Sequence, residues 1–265
     1  MRVGARTEPG VSALLTVEDG APVALENAEA GSRIVLVCEH ASRRLPQRLG
    51  TLGLSPEALE SHIAWDPGAL AVCRILMQAL DATLIYQRFS RLVYDCNRPP
   101  DSPSAMPASS EIFDIPGNAG LSAAERLART EAIYSPFRKS LSELIKTRVA
   151  NHRPPVIVTL HSFTPVWHGQ PRDVEVGILH DSDSRLADAF LKEAAKDEDF
   201  VTRRNEPYGP QDGVTHTLIE HGLHNGLLNV MIEIRNDLIA SKDGQRVLAG
   251  YIGDHLGKAL ADLEP

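Results

Sequence analysis

The side chains best suited to chemistry follow or end three short, strongly apolar runs of the sequence. They are Glu39 and His40 after RIVLVC, His161 and Ser162 after VIVTL, and Glu233 and Arg235 within NVMIEIR. Apolar runs of this length, rich in β-branched residues, are typical of strands buried on both faces of a parallel sheet. Because ligands bind at the carboxyl edge of such sheets, we expect these side chains to lie near one another.

Two strands that each end in a histidine indicate a metal site. Neutral imidazole is a strong zinc ligand, and catalytic zinc commonly takes three protein ligands and a water. We predict His40 and His161 as two of the ligands. Asp66, in AWDPGAL at the start of the next helix, is the third candidate, although an aspartate before Pro67 is equally typical of a helix N-cap. Glu39 is the alternative, either as a ligand or as a group that orients His40.

Glu233 lies inside the apolar run MIEIR, where a buried carboxylate requires a reason. Burial raises the pKa of a carboxylate, and a general base works best when its pKa is near the operating pH. We therefore predict that Glu233 takes a proton from zinc-bound water and delivers it to a leaving nitrogen. The alternative is a salt bridge with Arg235, two residues further on the same face of the strand. The two roles are compatible.

The segment RFSRLVYDCNRPP is locally basic in a chain whose formal net charge is −8. Guanidinium groups bind carboxylates bidentately, so this cluster predicts a small anionic substrate. The predicted substrate-binding residues are Arg91, Asn97, Arg98, Ser162 and Arg235. The alternative is that Arg88 and Arg91 pair with Asp95 and with surface acids, and we favour it for Arg88.

Strands and helices alternate along the chain, which predicts an α/β fold with a mixed, mostly parallel sheet and helices on both faces in a three-layer sandwich. A single domain over residues 1–265, with its core at about 30–262, is the favoured organisation. The segment 97–120 is rich in Pro, Ser and Gly. A loop of this length inside one domain is typical of an active-site wall or lid.

The longest predicted helical region starts at Leu121 and extends to about residue 152. Ser122 and Glu125 form the pattern of a capping box at its start. Pro136 is expected to break or kink it.

Composition excludes several classes of protein. The 265 residues are 43% hydrophobic and 23% charged, which argues against a disordered tail, a fibre or a membrane bundle. The acidic net charge makes nucleic acid an improbable partner. No signal peptide or membrane span is predicted. The three cysteines lie in or beside apolar runs and are interpreted as buried thiols in a reducing compartment. We therefore expect a cytoplasmic protein without a membrane partner. There is no G-x-S-x-G elbow and no phosphate-binding glycine loop, which argues against a serine hydrolase or a nucleotide enzyme.

Several segments between residue 33 and about 240 resemble the N-formylglutamate amidohydrolase family. They are LVCEHASRRLP, IAWDPGALAVCRIL, YQRFSRLVYDCNRPP, IPGNAGLS, TLHSFTP, NEPYGPQDG and IEIRNDLI. The resemblance implies a phosphorylase/hydrolase-like fold and a zinc-dependent amidohydrolase with His40, Asp66 and His161 as ligands of one ion. It also implies Glu233 as the base and zinc-bound water as the nucleophile, although another divalent metal is possible.

The implied substrate is a small anionic N-acyl amino acid such as N-formylglutamate. CEHAS and WDPGAL differ from the PHSG-type and WHVD-type segments of the enzymes that act on that compound in histidine degradation, so the acyl group and the amino acid stay open. One alternative is a related zinc peptidase or amidase that cleaves another amide. The other is a homologue that binds a metal or a small molecule without catalysis. The sequence does not predict the oligomeric state.

Overall fold

A seven-stranded mixed sheet forms the centre of the fold. The computed structural model describes residues 14–263. The strands are β1 (Val23–Glu26), β2 (Ile34–Cys38), β3 (Thr83–Gln87), β4 (Val156–Phe163), β5 (Val176–Leu179), β6 (Thr202–Arg204) and β7 (Asn229–Arg235). Their order across the sheet is β1-β3-β2-β4-β7-β5-β6. Strands β3, β2, β4 and β7 are mutually parallel, whereas β1 and the parallel pair β5–β6 run in the opposite direction. The predicted mixed, mostly parallel sheet is confirmed.

Helices pack on both faces of this sheet. The helices are α1 (Pro56–Glu60), α2 (Ala69–Ala79), α3 (Ala123–Arg129), α4 (Ser135–Ala150), α5 (Arg185–Ala194) and α6 (Lys242–Leu263). Of these, α2, α4, α5 and α6 pack on the sheet. Helices α2, α5 and α6 share an apolar cluster with Leu36 and Leu160, and α4 shares another with Val35 and Ile157. Neighbouring strand residues point to opposite faces, so the two clusters lie on opposite sides of the sheet. The predicted three layers are therefore present.

The helical region predicted from Leu121 begins as expected. Ser122 Oγ accepts a hydrogen bond from the Glu125 backbone at 3.3 Å, and Glu125 Oε2 accepts one from the Ser122 backbone at 2.8 Å. A π-helical turn, Thr130–Tyr134, joins α3 to α4, and Pro136 lies in the first turn of α4. Proline removes one backbone donor and crowds the carbonyl four residues earlier. The expected break at Pro136 therefore takes the form of a widened turn inside a continuous helical region.

The carboxyl ends of β2, β4 and β7 lie at the same edge of the sheet. His40 follows β2 by two residues, and Glu233 of β7 is the register partner of His161 in β4. Because the flanking residues Leu160 and Ile232 pack toward α2, α5 and α6, His161 and Glu233 point to the opposite face.

Some predictions are not tested by this fold. Within the described range, no helix is both long and apolar enough to cross a bilayer. The first residues, where no signal peptide is predicted, lie largely outside the described range. A single domain and a cytoplasmic location stay predictions.

Candidate functional site

His40, Asp66 and His161 form a buried triangle of ligand atoms. His40 Nδ1 lies 3.2 Å from Asp66 Oδ2, His161 Nδ1 lies 3.0 Å from the same oxygen, and the two Nδ1 atoms are 3.1 Å apart. The three residues are at most 3% exposed. Ligand atoms of a tetrahedral zinc lie about 2.0–2.2 Å from the ion, which places them about 3.3–3.6 Å from one another. The triangle is close to this size and could hold a metal ion.

Asp66 is held in the triangle by the turn that starts α2. Its N–H donates to the His40 carbonyl at 2.9 Å, and its Oδ2 accepts from the Ser162 backbone at 3.2 Å. Gly68 has a φ of +83°, and a Cβ there would lie 2.8 Å from the Ile239 carbonyl oxygen, so the turn requires glycine. The N-cap of α2 is Gly68. The alternative interpretation of Asp66 as the helix N-cap is therefore wrong.

Both histidines point Nδ1 into the triangle, and a carboxylate lies at the other ring nitrogen of each. Asp95 Oδ1 is 2.7 Å from His40 Nε2, and Glu39 Oε2 is 3.3 Å from His161 Nε2. The first contact is a short hydrogen bond, whereas the second is an ion pair without good hydrogen-bond direction. A proton on Nε2 leaves the lone pair of Nδ1 available to a metal. Glu39 thus lies behind His161, outside the triangle.

The surroundings of the triangle are anionic. Burial would raise the pKa of Asp66, but the charge of His40 and hydrogen bonds from the histidines hold it far below its usual value. Burial also opposes ionisation of Glu39 and Asp95, yet the charges of His161 and His40 lower the pKa of Glu39, and the charges of Arg91 and His40 lower the pKa of Asp95. The three buried carboxylates therefore depend on the positive charges of Arg91 and of the two imidazoles. A divalent cation bound at the two Nδ1 atoms would supply this compensation in place of the imidazole protons.

Glu233 is 6% exposed and lies beside the triangle. Burial raises its pKa to about 7, although the charge of His161 acts in the opposite direction. Its Oε2 has no hydrogen-bond partner among the described residues. Arg235 contacts Glu175 at 3.3 Å and Asp237 at 2.9 Å, and no ion pair with Glu233 forms in the described chain. The salt-bridge alternative is wrong, and the carboxyl group has the pKa expected of a general base.

A cavity of about 270 Å³ opens onto the triangle and Glu233. Four of the predicted substrate-binding residues line it, and Arg235 does not. The four are Arg91, Asn97, Arg98 and Ser162. Segment 97–120 forms one wall, as expected of this loop. The hydroxyl of Ser162 donates to the Pro67 carbonyl at 3.0 Å, so it is partly engaged by the protein itself.

The lining cations differ in how strongly the protein neutralises them. Arg91 Nη1 lies 3.4 Å from Asp66 Oδ1, and its Nη2 lies 2.6 Å from Asp95 Oδ2. Arg98 donates to the Asn97 carbonyl at 2.8 Å and forms no ion pair within the described range. The side-chain oxygen of Asn97 accepts from the backbone of residue 217 at 3.0 Å. Arg91 therefore belongs to the ligand network, and Arg98 is the freer group for an anion.

Asp95 is an important residue that spacing alone does not identify as part of the site. The sequence allows it only as an ion-pair partner of arginines. It does pair with Arg91, but the same carboxylate also binds His40. Arg88 lies outside this network and donates to the Ala21 carbonyl at 2.8 Å. The favoured expectation that Arg88 pairs with an acid is therefore not met in the described chain.

Other cavity residues come from loops whose spatial position the sequence does not show. They are His62, Trp167 and Tyr208. His62 contacts Glu111 of segment 97–120 at 3.1 Å. In the sequence, Trp167 follows the segment TLHSFTP closely, and Tyr208 lies within NEPYGPQDG. Both segments belong to the family resemblance, which is the only sequence feature that points to these two residues. His216 lies in a separate cleft, where its Nε2 is 2.8 Å from the Tyr134 hydroxyl.

Comparisons with known proteins identify the family. A family model described as N-formylglutamate amidohydrolase matches residues 32–240. A gene product of Agrobacterium tumefaciens of known crystal structure is 60% identical, with a TM-score of 0.93 over 95% of this chain and 100% of that one. The N-formylglutamate amidohydrolase from Ralstonia eutropha JMP134 is 19% identical, with a TM-score of 0.62 over 91% of this chain and 98% of that one, and shows the shared fold. No curated protein matches significantly. Because the family match spans most of the chain, this protein belongs to the N-formylglutamate amidohydrolase family.

Proposed function

We propose that this protein is a metal-dependent amidohydrolase that cleaves a small N-acyl amino acid, with N-formylglutamate as the leading candidate. Membership of the family supports an amide-bond hydrolase. The observation that carries the metal dependence is the buried triangle of His40 Nδ1, His161 Nδ1 and Asp66 Oδ2. Two imidazoles and one carboxylate are a donor set that suits zinc and leaves room for a fourth ligand.

The residues around the triangle would prepare it for the ion. Asp95 holds His40 through Nε2, and Glu39 lies at the corresponding nitrogen of His161. A hydrogen bond such as that of Asp95 fixes the ring orientation and the tautomer of a metal-binding histidine, and the negative charge of Glu39 favours a proton on Nε2 of His161. A divalent ion held there would lower the pKa of water and polarise the amide carbonyl of the substrate.

Glu233 would carry the proton. With a pKa of about 7, its carboxyl group changes protonation state near neutral pH. It accepts a proton as water attacks the acyl carbon and donates that proton to the nitrogen as the C–N bond breaks. The products are a carboxylic acid, which is formate for an N-formyl substrate, and the free amino acid. Its Oε2 has no partner in the described chain, so this exchange disrupts no hydrogen bond.

The size of the cavity favours a small substrate over a cell-wall polymer. Its volume of about 270 Å³ is slightly below the usual lower limit of small-molecule sites, which is about 300 Å³. Arg98 offers a carboxylate of such a substrate a cation that forms no ion pair within residues 14–263. These features support a small anionic substrate over a cell-wall polymer.

The test is amine release by zinc-loaded protein from N-formyl-L-glutamate, N-acetyl-L-glutamate and a dipeptide. We expect turnover of the N-formyl compound, its loss after chelation and its recovery with zinc. His161→Ala should lose both metal and turnover, whereas His216→Ala, which changes a histidine in the separate cleft, should keep both. Cleavage of the dipeptide alone would indicate a peptidase, and full activity without metal would refute the proposal. Tight zinc binding without hydrolysis of any compound would indicate the non-catalytic homologue.

A further inference from the structure

Arg172 occupies an aromatic corner beside the cavity. Its guanidinium carbon lies 5.5 Å from the ring centroid of Phe163, 5.2 Å from that of Trp167 and 4.9 Å from that of Tyr208. All three rings line the cavity. Aromatic faces attract a guanidinium while leaving N–H donors at its edge free. Arg172 is therefore held next to the cavity by contacts that do not neutralise its charge.

No carboxylate of the described chain pairs with Arg172. Its Nη1 donates to the Thr164 carbonyl at 3.3 Å, and it also interacts with the Tyr208 phenol. A guanidinium has five N–H donors, so most of them are left for another acceptor. Arg91, by contrast, contacts two carboxylates of the site. A half-buried cation without an internal counter-charge is the arrangement expected where an anion binds.

The backbone of Arg172 is fixed by its neighbours. Its N–H donates to the Pro165 carbonyl at 2.8 Å and closes the two-stranded ribbon of residues 166–171. Its carbonyl accepts from Arg235 Nη1 at 3.2 Å, and Arg235 is itself held by acids. Arg235, predicted to bind substrate, thus supports the chain at Arg172 instead. A pre-positioned side chain loses less conformational freedom when it binds a ligand.

Arg172 and Arg98 flank the site through different segments. Tyr208 and Glu233 both line the cavity, and the Arg172 guanidinium carbon lies 4.9 Å from the Tyr208 ring centroid. Arg98 belongs to the turn of Asp95, whose carbonyl accepts the Arg98 N–H at 3.0 Å. Arg98 is therefore linked to the triangle through Asp95, whereas Arg172 makes no hydrogen bond or ion pair with the triangle within residues 14–263 and lies on the aromatic side of the cavity.

We propose that Arg172 binds the substrate carboxylate that is more distant from the scissile amide, and thereby selects dicarboxylate N-acyl amino acids over neutral ones. The inference rests on the proposed function. A second carboxylate needs a second cation, and Arg172 is positioned to provide it beside rings that line the cavity.

The test compares N-formyl-L-glutamate with N-formyl-L-glutamine, which differ only in the side-chain carboxylate. Arg172→Met keeps an apolar side chain on the rings and removes the charge. We expect its kcat/KM for N-formylglutamate to fall about 10- to 100-fold, mainly through KM, the range for a lost charge-assisted hydrogen bond. Its kcat/KM for N-formylglutamine should change little. Arg172→Lys should lie between, since lysine keeps the charge without the planar fork.

Arg74→Met is the matched control. Arg74 lies 5.4 Å from the Tyr86 ring, which does not line the cavity, whereas the three rings that contact Arg172 do, so the replacement of Arg74 should leave both substrates unaffected. An equal loss of kcat/KM for both substrates in Arg172→Met, or no loss for either, would overturn the role of Arg172. Turnover by the wild type would still support the proposed function in that case. If the wild type hydrolyses neither compound, calorimetric affinities of the same proteins decide. A preference for the dicarboxylate that Arg172→Met abolishes supports the role, and equal affinities overturn it.

Discussion

Replacing Asp95 by asparagine should weaken metal binding without disturbing the fold. Asp95 Oδ1 lies 2.7 Å from His40 Nε2 and its Oδ2 lies 2.6 Å from Arg91 Nη2, and the residue is 3% exposed. Asparagine has almost the same shape, but it offers one acceptor oxygen and adds an NH2 donor. When Nδ1 of His40 is available to a metal, its Nε2 carries the proton and is a donor, as Arg91 is. One of these two donors must then face the NH2 group of the asparagine.

Either orientation of the amide harms the site. With NH2 toward His40, Nε2 must accept, and the ring proton moves to Nδ1, the atom proposed as the metal ligand. With NH2 toward Arg91, two donors meet in a buried space. Groups that orient metal-binding histidines contribute about 10- to 100-fold to metal affinity. We therefore expect the zinc Kd of Asp95→Asn to rise by this factor, or about 1.4–2.8 kcal/mol.

The measurement is competition for zinc against a chromophoric chelator at neutral pH. Asp237→Asn is the control, because Asp237 also loses an arginine contact, 2.9 Å from Arg235 Nε, but is 44% exposed and does not line the cavity. Circular dichroism checks that both variants keep their helices. A zinc Kd for Asp95→Asn within about twofold of the wild type would refute the reasoning that Asp95 orients His40.

Three further predictions address the base, a buried histidine and the turn before α2. Glu233→Gln should lower kcat by about 10²- to 10⁴-fold, as measured by amine release, while metal content stays unchanged, and an active variant would contradict its role as base. Burial lowers the pKa of His221 from 6.5 to about 4, so as the pH falls through this window the unfolded chain takes up a proton that the folded protein does not. Between about pH 7.5 and pH 5, the free energy of unfolding should consequently fall by about 2 kcal/mol more in the wild type than in His221→Asn. Urea titrations at the two pH values measure this difference, and equal falls in the two proteins would contradict the prediction. Gly68→Ala should lower the free energy of unfolding by about 2 kcal/mol or more in the same urea titrations. The reason is that residue 68 has a φ of +83° and that a Cβ there would meet the Ile239 carbonyl. A loss below about 0.5 kcal/mol would show that the turn tolerates a side chain.

The strand-end residues are predictable from the sequence because local pattern determines both their position and their direction. Apolar runs locate β2, β4 and β7, and parallel strands bring their carboxyl ends to one edge. Period-2 alternation then places His161 and Glu233 on one face. Asp66 is predictable as a candidate, but only the left-handed turn at Gly68 shows that its carboxylate is free of the helix N-cap.

The remaining residues depend on how distant loops meet. Asp95 lies 55 positions from His40 in the sequence, and nothing in its segment indicates which partner it will bind. The aromatic corner of Arg172 combines rings from β4, the ribbon of residues 166–171 and the NEPYGPQDG loop. Arg235 shows the limit of alternation, because β7 ends there and its side chain turns to Glu175.

The most direct test of the proposed metal centre is anomalous diffraction at the zinc edge from crystals of the zinc-loaded protein. We expect one ion about 2.0–2.2 Å from His40 Nδ1, His161 Nδ1 and Asp66 Oδ2, with the Nε2 atoms of both histidines facing Asp95 and Glu39. No ion at this position, or an ion held through Nε2 atoms or through Glu39 in place of Asp66, would contradict it.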